Sequence, residues 1–173
     1  MSKSKKVITE SEFMRITMTK LETKRLNIYT ASQNEMLQII KEQPDEDLKT
    51  AYLEMLQGAS KHPDQWVWYA IWIIERKDGT KVGDLSFKGF NDDGAVEIGY
   101  GILENHQRRG FATEAVETAV AWAFSQPGVR CVEAETEPGN RPSQRVLEKC
   151  GFIPSGTVGE EGPRFVKRRM PIS

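Results

Sequence analysis

One stretch of the sequence, residues 95–114, constrains the fold more than any other. It begins with alternating apolar residues, which predict a strand with one buried face formed by Val96, Ile98, Tyr100 and Ile102. Gly99 and Gly101 fall on the other face, and glycines inside a strand usually mark a bulge or the close approach of another group. A polar loop and Gly110 then lead into an amphipathic helix, so the stretch predicts a strand, a turn of small residues and a helix.

The predicted turn before this helix, residues 107–113, is typical of an anion-binding site. The first N–H groups of an α-helix have no partner within the helix. Because these donors point outward at the positive end of the helix dipole, they favour negatively charged groups such as phosphates. The stretch therefore predicts a place where a phosphorylated cofactor is held.

The motifs of this region resemble those of a known family. The loop Gln107-Arg108-Arg109-Gly110-Phe111-Ala112 is similar to the pyrophosphate loop Q/R-x-x-G-x-G/A of the GNAT superfamily of acetyl-CoA-dependent N-acetyltransferases. The strand motif Glu97-Ile98-Gly99-Tyr100 resembles the branch that includes the ribosomal-protein N-terminal acetyltransferases. A second block, Asn140-x-x-Ser143 followed by Gly151-Phe152, occurs downstream at the family's spacing. The resemblance runs from about Glu22 to about Phe152.

The resemblance implies a fold and a reaction. It implies an α/β (α+β) domain over residues 21–173, with helices on both faces of a mixed, mostly antiparallel sheet that splays in the middle. The strand pattern predicts about six or seven strands. Residues 1–20 are expected to form a loose arm or an extra strand. The implied reaction is direct transfer of the acetyl group of acetyl-CoA to a primary amine, on a protein N-terminus or on a small molecule.

Composition argues against several other classes of protein. A chain of 173 residues is expected to form one domain, and its net charge of −1 gives no basic field of the kind that nucleic-acid-binding proteins use. No apolar run approaches the ~20 residues of a membrane span. The basic first residues lack the apolar core of a signal peptide. Cys131 and Cys150 are expected to be reduced, buried residues, so the sequence predicts a cytoplasmic protein without nucleic-acid or membrane partners.

The rest of the chain is predicted to alternate between strands and helices. A run that is apolar on both faces, from Trp66 to Ile74, predicts a central strand covered on two sides, with its three tryptophans in the core. Turn residues on either side of 81–90 predict a three-strand meander that ends in the strand from Ala95. The other strands are predicted at 22–29, 130–136, 152–158 and 164–172, and the other helices near 36–40, 45–58, 116–124 and 140–150.

Acetyl transfer requires a neutral amine, and Glu97 is the candidate base. An α-amine has a pKa of about 8 and a lysine about 10.4, so most of the acceptor arrives protonated. A carboxylate within reach, directly or through a water, can take that proton. Glu97 shares a strand face with two glycines, where there is room for a substrate, and it matches the strand glutamate of the family. The alternative is an exposed glutamate that serves only solubility.

The thioester carbonyl needs a hydrogen-bond donor, and in this family the strand backbone supplies it. The resemblance places this donor near Ile102 and Leu103. A donor of this kind is worth ~3 kcal/mol to the transition state. The resemblance further implies that this strand splays from the strand at 130–136 and that the pantetheine arm enters the gap. The alternative is an undistorted strand that happens to contain two glycines.

The sequence departs from many relatives where the leaving thiol would receive a proton. Those relatives place a tyrosine seven residues after the asparagine, a position that Leu147 occupies here. Ser143 occupies the position of a serine implicated in the ribosomal-protein branch, and it is the candidate acid or thiol partner. The alternative is a first-turn serine that only caps its helix. A thiol with a pKa of about 8.5 leaves tolerably as thiolate, so an acid is not strictly required.

The remaining cofactor-binding candidates come from the loop and the second block. At least one of Arg108 and Arg109 is expected to pair with cofactor phosphates, the alternative being solvated loop charges. Asn140 resembles the family residue that contacts the pantetheine arm, a role compatible with a helix N-cap. No metal ligands are expected. The full cofactor set is Ile102, Leu103, Gln107, Arg108, Arg109, Gly110, Phe111, Ala112, Thr113, Asn140 and Ser143.

Two functions stay open on the sequence. The first is an acetyl-CoA-dependent N-acetyltransferase, monomeric or homodimeric, that acts on an amine acceptor. The second is a catalytically degenerate member that binds acetyl-CoA as a sensor or interaction protein. Leu147 motivates the second function, whereas Glu97 and the intact loop favour the enzyme.

Overall fold

The computed structural model describes residue 9 and residues 18–171, which form one open, mostly antiparallel sheet with helices on both faces. The strands are β1 (Lys20–Glu22), β2 (Leu26–Thr30), β3 (Ile71–Arg76), β4 (Lys81–Phe90), β5 (Ala95–Ile102), β6 (Cys131–Glu135), β7 (Ile153–Val158) and β8 (Pro163–Arg168). The α-helices are α1 (Gln33–Glu42), α2 (Glu46–Lys61), α3 (Trp66–Tyr69), α4 (Phe111–Ser125) and α5 (Arg141–Lys149). The predicted fold class is confirmed. Within the described part of the chain, none of these helices is long and apolar enough to cross a membrane.

Among the described residues, the sheet has eight strands, in the order β1-β2-β3-β4-β5-β6-β8-β7, rather than six or seven. The additional strand is β1, which pairs antiparallel with β2 at the described end of the predicted arm. The carbonyl of Thr19 also accepts a hydrogen bond from the Thr30 N–H at 3.0 Å. The rest of the arm, 1–8 and 10–17, lies outside the described residues.

The prediction of a strand over residues 66–74 is wrong in its first half. Trp66–Tyr69 forms the one-turn helix α3, and the strand begins only at Ile71. Buried indole groups need hydrogen-bond partners, and in this conformation those of Trp66 and Trp72 each find a backbone carbonyl. The Trp66 Nε1–H donates to the carbonyl of Ala31 at 3.0 Å, and the Trp72 Nε1–H donates to that of Val67 at 2.9 Å. All three tryptophans are buried, as predicted.

The helix predicted over 45–58 extends to Lys61, three residues beyond the expected stop at Gly58. A Cβ at Gly58 would lie 3.0 Å from the ring of Tyr69. Glycine at this position therefore lets α2 pack closely on α3, and it does not end the helix.

The two faces of the sheet carry separate apolar cores, and β3 contributes to both. Trp72 and Ile74 pack against α4, on what we call the α4 face. Ile71 and Ile73 pack against α1 and α2, on what we call the α2 face. Because successive side chains of a strand point to opposite faces, a strand that is apolar throughout must be covered on both sides.

Candidate functional site

The sheet opens between β5 and β6, which form the one parallel pair among the described strands. They pair only at Ala95–Cys131, Val96–Val132 and Glu97–Glu133. Beyond Glu97, β5 stays with β4 as far as Ile102, whereas β6 stays with β8 as far as Glu135. The two strands therefore part after three residues, and residues 98–102 border a gap.

Backbone groups of β5 point into this gap at alternate residues. The Leu103 N–H donates to the carbonyl of Val82 at 2.8 Å, toward β4. Because successive N–H groups of a strand point to opposite edges, those of Tyr100 and Ile102 point toward the gap. In keeping with this, the Ile102 carbonyl accepts a hydrogen bond from Gln107 Nε2 at 2.9 Å rather than from β4. The structure thus brings Ile102 to the gap, but it leaves the N–H of Leu103 engaged with β4.

The loop between β5 and α4 has the backbone form of an anion site. Arg108 and Gly110 adopt left-handed conformations, with φ of 64° and 79°, and Gly110 is the N-cap of α4 without a side-chain cap. The N–H groups of Phe111, Ala112 and Thr113 therefore begin the helix without partners inside it. The positive end of the helix dipole adds to their attraction for an anion. The side chain of Phe111 is mostly buried in the core.

Side chains far away in the sequence hold this loop. Arg25 donates from Nη1 to the carbonyl of Arg109 and from Nε to Glu114 Oε1, each at 2.9 Å. Its guanidinium also lies 4.5 Å from the ring centroid of Phe111. The Thr23 hydroxyl donates to Glu114 Oε2 at 2.5 Å. We call Thr23, Arg25 and Glu114 the loop clamp.

Glu114 in the loop clamp has a shifted pKa. Burial alone would raise the pKa of its carboxyl, but the hydrogen bonds from Thr23 and Arg25 outweigh burial and hold the pKa below the usual range. Sequence reasoning missed the clamp because Arg25 precedes Arg109 by 84 residues. No local pattern indicated that the turn before β2 would reach the predicted phosphate loop.

The side chains of the two loop arginines border different cavities. Arg109 borders a cavity of about 470 Å³ whose lining is Arg25, Arg76, Lys77, Asp78, Arg109 and Phe111. Arg108 borders a smaller one of about 270 Å³, together with Glu104 and Gln107. Contact of either arginine with cofactor phosphates stays a prediction.

On the α4 face of the gap, Tyr100 of β5 contacts the start of α5. Its hydroxyl lies 2.9 Å from Ser143 Oγ and donates to the Ser143 carbonyl at 3.1 Å. Burial raises the pKa of Tyr100 to about 12, so the phenol keeps its proton at neutral pH. Asn140 caps α5, its Oδ1 accepting from the Ser143 N–H at 3.2 Å. Leu147, at the position of the missing tyrosine, is fully buried.

On the α2 face of the gap, Glu97 is held by two cations. Its Oε1 lies 2.9 Å from Arg164 Nη2, and its Oε2 lies 3.2 Å from Lys88 Nζ. Arg164 also bonds Glu133 at 3.0 Å and Glu135 at 3.2 Å, so it ties β5 to β6 where the strands part. Both carboxylate oxygens of Glu97 are therefore engaged by cations, and its role as base stays a prediction.

A second carboxylate on the α2 face, Asp84 of β4, was not identified from the sequence. Asp84 lies directly opposite Gly101 of β5, so both point to the same face. The Tyr52 hydroxyl of α2 donates to Asp84 Oδ2 at 2.8 Å, and Lys81 Nζ lies 3.9 Å from the same oxygen. Burial raises the pKa of the Asp84 carboxyl above its ordinary value, despite both neighbours.

The sequence signal that could have identified Asp84 is the register of the β4–β5 hairpin, because this register places Asp84 opposite Gly101. The register shifts between Phe87 and Phe90, so counting back from the turn does not give the pairing.

Comparison with known proteins identifies relatives of this chain. Residues 15–153 match a family profile described as "Acetyltransferase (GNAT) domain". The uncharacterized N-acetyltransferase YjdG of Bacillus subtilis is 40% identical over 84 residues, which are 47% of this chain and 50% of YjdG. The chain spans about half the length of YjdG and of two further curated Bacillus relatives that it matches.

Solved structures share the fold at low sequence identity. Spermidine N-acetyltransferase from Vibrio cholerae, solved in complex with CoA and spermine, is 17% identical with a TM-score of 0.67, over 84% of this chain and 96% of that one. The ribosomal-protein-S5-alanine acetyltransferase from Vibrio fischeri is 18% identical with a TM-score of 0.66, over 87% of this chain and 96% of that one.

Proposed function

Because the chain belongs to the GNAT acetyltransferase family, we propose that it is an N-acetyltransferase that transfers the acetyl group of acetyl-CoA directly to a primary amine. The observation that carries the proposal is the gap between β5 and β6, which ends beside the uncapped start of α4. A linear cofactor with a diphosphate at one point and a thioester further along fits a loop for anions followed by a gap lined with backbone donors.

The cofactor is proposed to bind through the backbone. The N–H groups from Gly110 to Thr113 would hold the diphosphate, since a helix start attracts anions without needing a charged side chain. The pantetheine arm would lie along the gap edge of β5, where the backbone of Ile102 faces it. The solved spermidine N-acetyltransferase, which shares this fold, contains CoA.

Tyr100 and Ser143 are proposed to act on the leaving thiolate. Tyr100 borders the gap, and its hydroxyl is paired with Ser143. The phenol has one proton, which it donates to the Ser143 carbonyl in the structure. With the cofactor bound, it would turn this hydrogen bond to the sulfur and, since its pKa of about 12 exceeds that of a thiol, would keep the proton. Ser143 would orient that hydroxyl. This arrangement supplies a donor in place of the absent tyrosine at Leu147.

The acceptor is proposed to enter from the α2 face, where Asp84 and Glu97 lie on either side of the two strand glycines. A carboxylate beside the glycines suits an ammonium group, and Asp84 offers one, whereas Glu97 is already paired with Arg164 and Lys88. The solved relatives, a spermidine N-acetyltransferase and a ribosomal-protein-S5-alanine acetyltransferase, suggest two kinds of acceptor, a polyamine and an alanine of a protein. The cytoplasmic location and the monomeric or homodimeric state remain predictions.

Release of free thiol from acetyl-CoA tests the function. The purified chain would be assayed with spermidine and with a short peptide that has a free N-terminal alanine, and CoA binding would be measured in parallel by calorimetry. We expect CoA to bind and at least one amine to be acetylated. Tight CoA binding without turnover of any amine would instead support the sensor function that the buried Leu147 favours. An absence of CoA binding would contradict both functions.

A further inference from the structure

The α2 face of β5 carries an open strip beside the gap. A Cβ placed on Gly101 would meet no described atom within 4 Å, and one placed on Gly99 would meet only Lys88 Cε, at 3.8 Å. The backbone of β5 is therefore bare here, at the residues that flank the N–H of Tyr100. We call the surface over Gly99 and Gly101 the glycine strip.

One carboxylate borders the glycine strip directly. Asp84 is paired with Gly101 and Ser86 with Gly99, so both β4 side chains stand about one strand spacing, ~4.8 Å, from the strip. Ser86 is buried, whereas the side chain of Asp84 is 24% exposed. Asp84 thus combines a mostly buried position with remaining access to a ligand above Gly101.

The contacts of Asp84 differ from those of Glu97. Both oxygens of Glu97 are bonded to cations, at 2.9 and 3.2 Å. Asp84 has its hydrogen bond from a neutral phenol and its cation at 3.9 Å, and both of these neighbours contact Oδ2. Across the sheet it faces Ile73 and Gly101, which carry no charge. Within the described structure, Oδ1 therefore keeps its lone pairs for a ligand.

We propose that Asp84, rather than Glu97, binds the acceptor ammonium over the glycine strip and takes its proton. This inference rests on the proposed function and assigns its acceptor site. The ammonium transfers one proton to Asp84, and the nitrogen lone pair then forms a C–N bond to the thioester carbon. The C–S bond breaks, its electron pair goes to sulfur, and the nitrogen loses its second proton to give the amide. That proton and the one on Asp84 leave to solvent and to the thiolate.

The environment of Asp84 favours its proposed role as the proton acceptor. A carboxyl whose pKa is raised by burial accepts a proton more readily than an ordinary exposed carboxyl does. Glu97, tied to Arg164 and Lys88, would instead fix the point where β5 and β6 part.

The test compares three carboxylate substitutions in the full chain, with acetyl-CoA and the amines that the wild type acetylates, drawn from spermidine and the alanine peptide. We expect Asp84→Asn to lower kcat/KM for the amine by about 100-fold or more, as for loss of a general base. Glu97→Gln should lower it much less. Asp92→Asn, in the exposed β4–β5 turn, is the matched control and should leave it unchanged. CoA affinity should be retained in all three.

The variant Tyr52→Phe gives a second test, the pH dependence of kcat/KM. A purely structural role of Asp84 would leave this pH dependence unchanged. The Tyr52 hydrogen bond lowers the pKa of Asp84, so its removal should shift the acidic limb of kcat/KM to higher pH. The assignment is overturned if Asp84→Asn keeps wild-type kcat/KM, or if Glu97→Gln is the more damaging change. If the wild type binds CoA but acetylates no amine, the proposed acetyltransferase function is contradicted. The assignment of Asp84, which rests on that function, is then contradicted as well.

Discussion

At the scale of single residues, we expect the Asp84 carboxylate to lower the stability of the fold at neutral pH, although activity requires it. Because burial raises its pKa, the folded chain binds the proton more tightly than the unfolded chain does. This tighter proton binding stabilises the folded chain fully at a pH below the ordinary carboxyl pKa. The stabilisation is lost as the pH rises through the raised pKa of Asp84 in the folded chain. We therefore expect Asp84→Asn to raise the unfolding midpoint at pH 7 by on the order of a few degrees, measured by thermal unfolding.

This gain should shrink toward pH 3, below the carboxyl pKa of about 3.9, where Asp84 itself is neutral. A variant that is less stable than the wild type at pH 7 would show that Asp84 has a structural role.

The hydroxyl of Tyr100 should matter to turnover but not to cofactor binding. A hydrogen bond to a developing thiolate is worth about 1.5–3 kcal/mol, so Tyr100→Phe should lower kcat by about 10–100-fold. Tyr29→Phe is the matched control, because its hydroxyl bonds Glu75 at 3.1 Å on β2 and β3, away from the gap. Steady-state kinetics at saturating acetyl-CoA measure both. A wild-type kcat in Tyr100→Phe would remove Tyr100 from the reaction.

Only part of the site was visible in the sequence at this scale. Glu97 and Ser143 stand in short motifs of fixed spacing, so a resemblance could identify them. Asp84 and Arg25 gain their environment from partners distant along the chain, Tyr52 and Arg109, and no local pattern records those contacts. The ion pairs that hold Glu97 were hidden for the same reason, since Arg164 arrives from β8.

At the scale of elements, the loop clamp should set the affinity for the cofactor. Arg25→Ala removes the hydrogen bond to the carbonyl of Arg109 and the contact with Phe111, so the N–H groups of the loop lose their fixed orientation. We expect CoA affinity to fall by about 10-fold, the value of one charged hydrogen bond, measured by calorimetry. Lys24→Ala removes the neighbouring charge and is the control. Equal affinities of the two variants would mean that the clamp does not shape the loop.

Because the pKa of Glu114 is lowered, the contribution of the loop clamp to stability depends on pH. Its contribution to stability is complete above the ordinary carboxyl pKa and is lost as the pH falls through the lowered one. At neutral pH the clamp is therefore fully formed.

Strand β5 offers a substitution that blocks the acceptor without disturbing the fold. No described atom lies within 4 Å of a Cβ at Gly101, and β-branched residues are favoured in strands, so we expect Gly101→Val to be accommodated. Its side chain would cover the glycine strip. We expect folding and CoA binding to be retained while kcat/KM for the amine falls by about 10-fold or more, of the order expected when an acceptor site is obstructed. Unchanged amine kinetics would place the acceptor elsewhere.

Elements bounded by clear turn or capping residues were predictable. The strand over 81–90 follows from the turn residues on either side of it and the helix over 140–150 from its capping residues, and the structure has them within a residue of the predicted bounds. The run from Trp66 to Ile74 is apolar in every register, so periodicity could not separate helix from strand. The structure adds two indole hydrogen bonds that periodicity does not encode, from Trp66 to Ala31 and from Trp72 to Val67.

At the scale of the whole molecule, the two halves of the proposed reaction lie on opposite faces of the sheet. Tyr100 and Ser143 are on the α4 face, and Asp84 and Glu97 are on the α2 face. The gap between β5 and β6 is the opening that joins them beside the loop. A thioester placed in this gap would present its sulfur to the phenol on the α4 face, and the adjacent carbonyl carbon would face an amine that arrives from the α2 face.

A crystal structure of the chain with CoA tests this account most directly. The account predicts the diphosphate on the N–H groups from Gly110 to Thr113, the pantetheine arm between β5 and β6, and the sulfur within hydrogen-bonding reach of the Tyr100 hydroxyl, about 3.5 Å. A nucleotide bound away from the start of α4, or an arm that passes outside the gap, would contradict it.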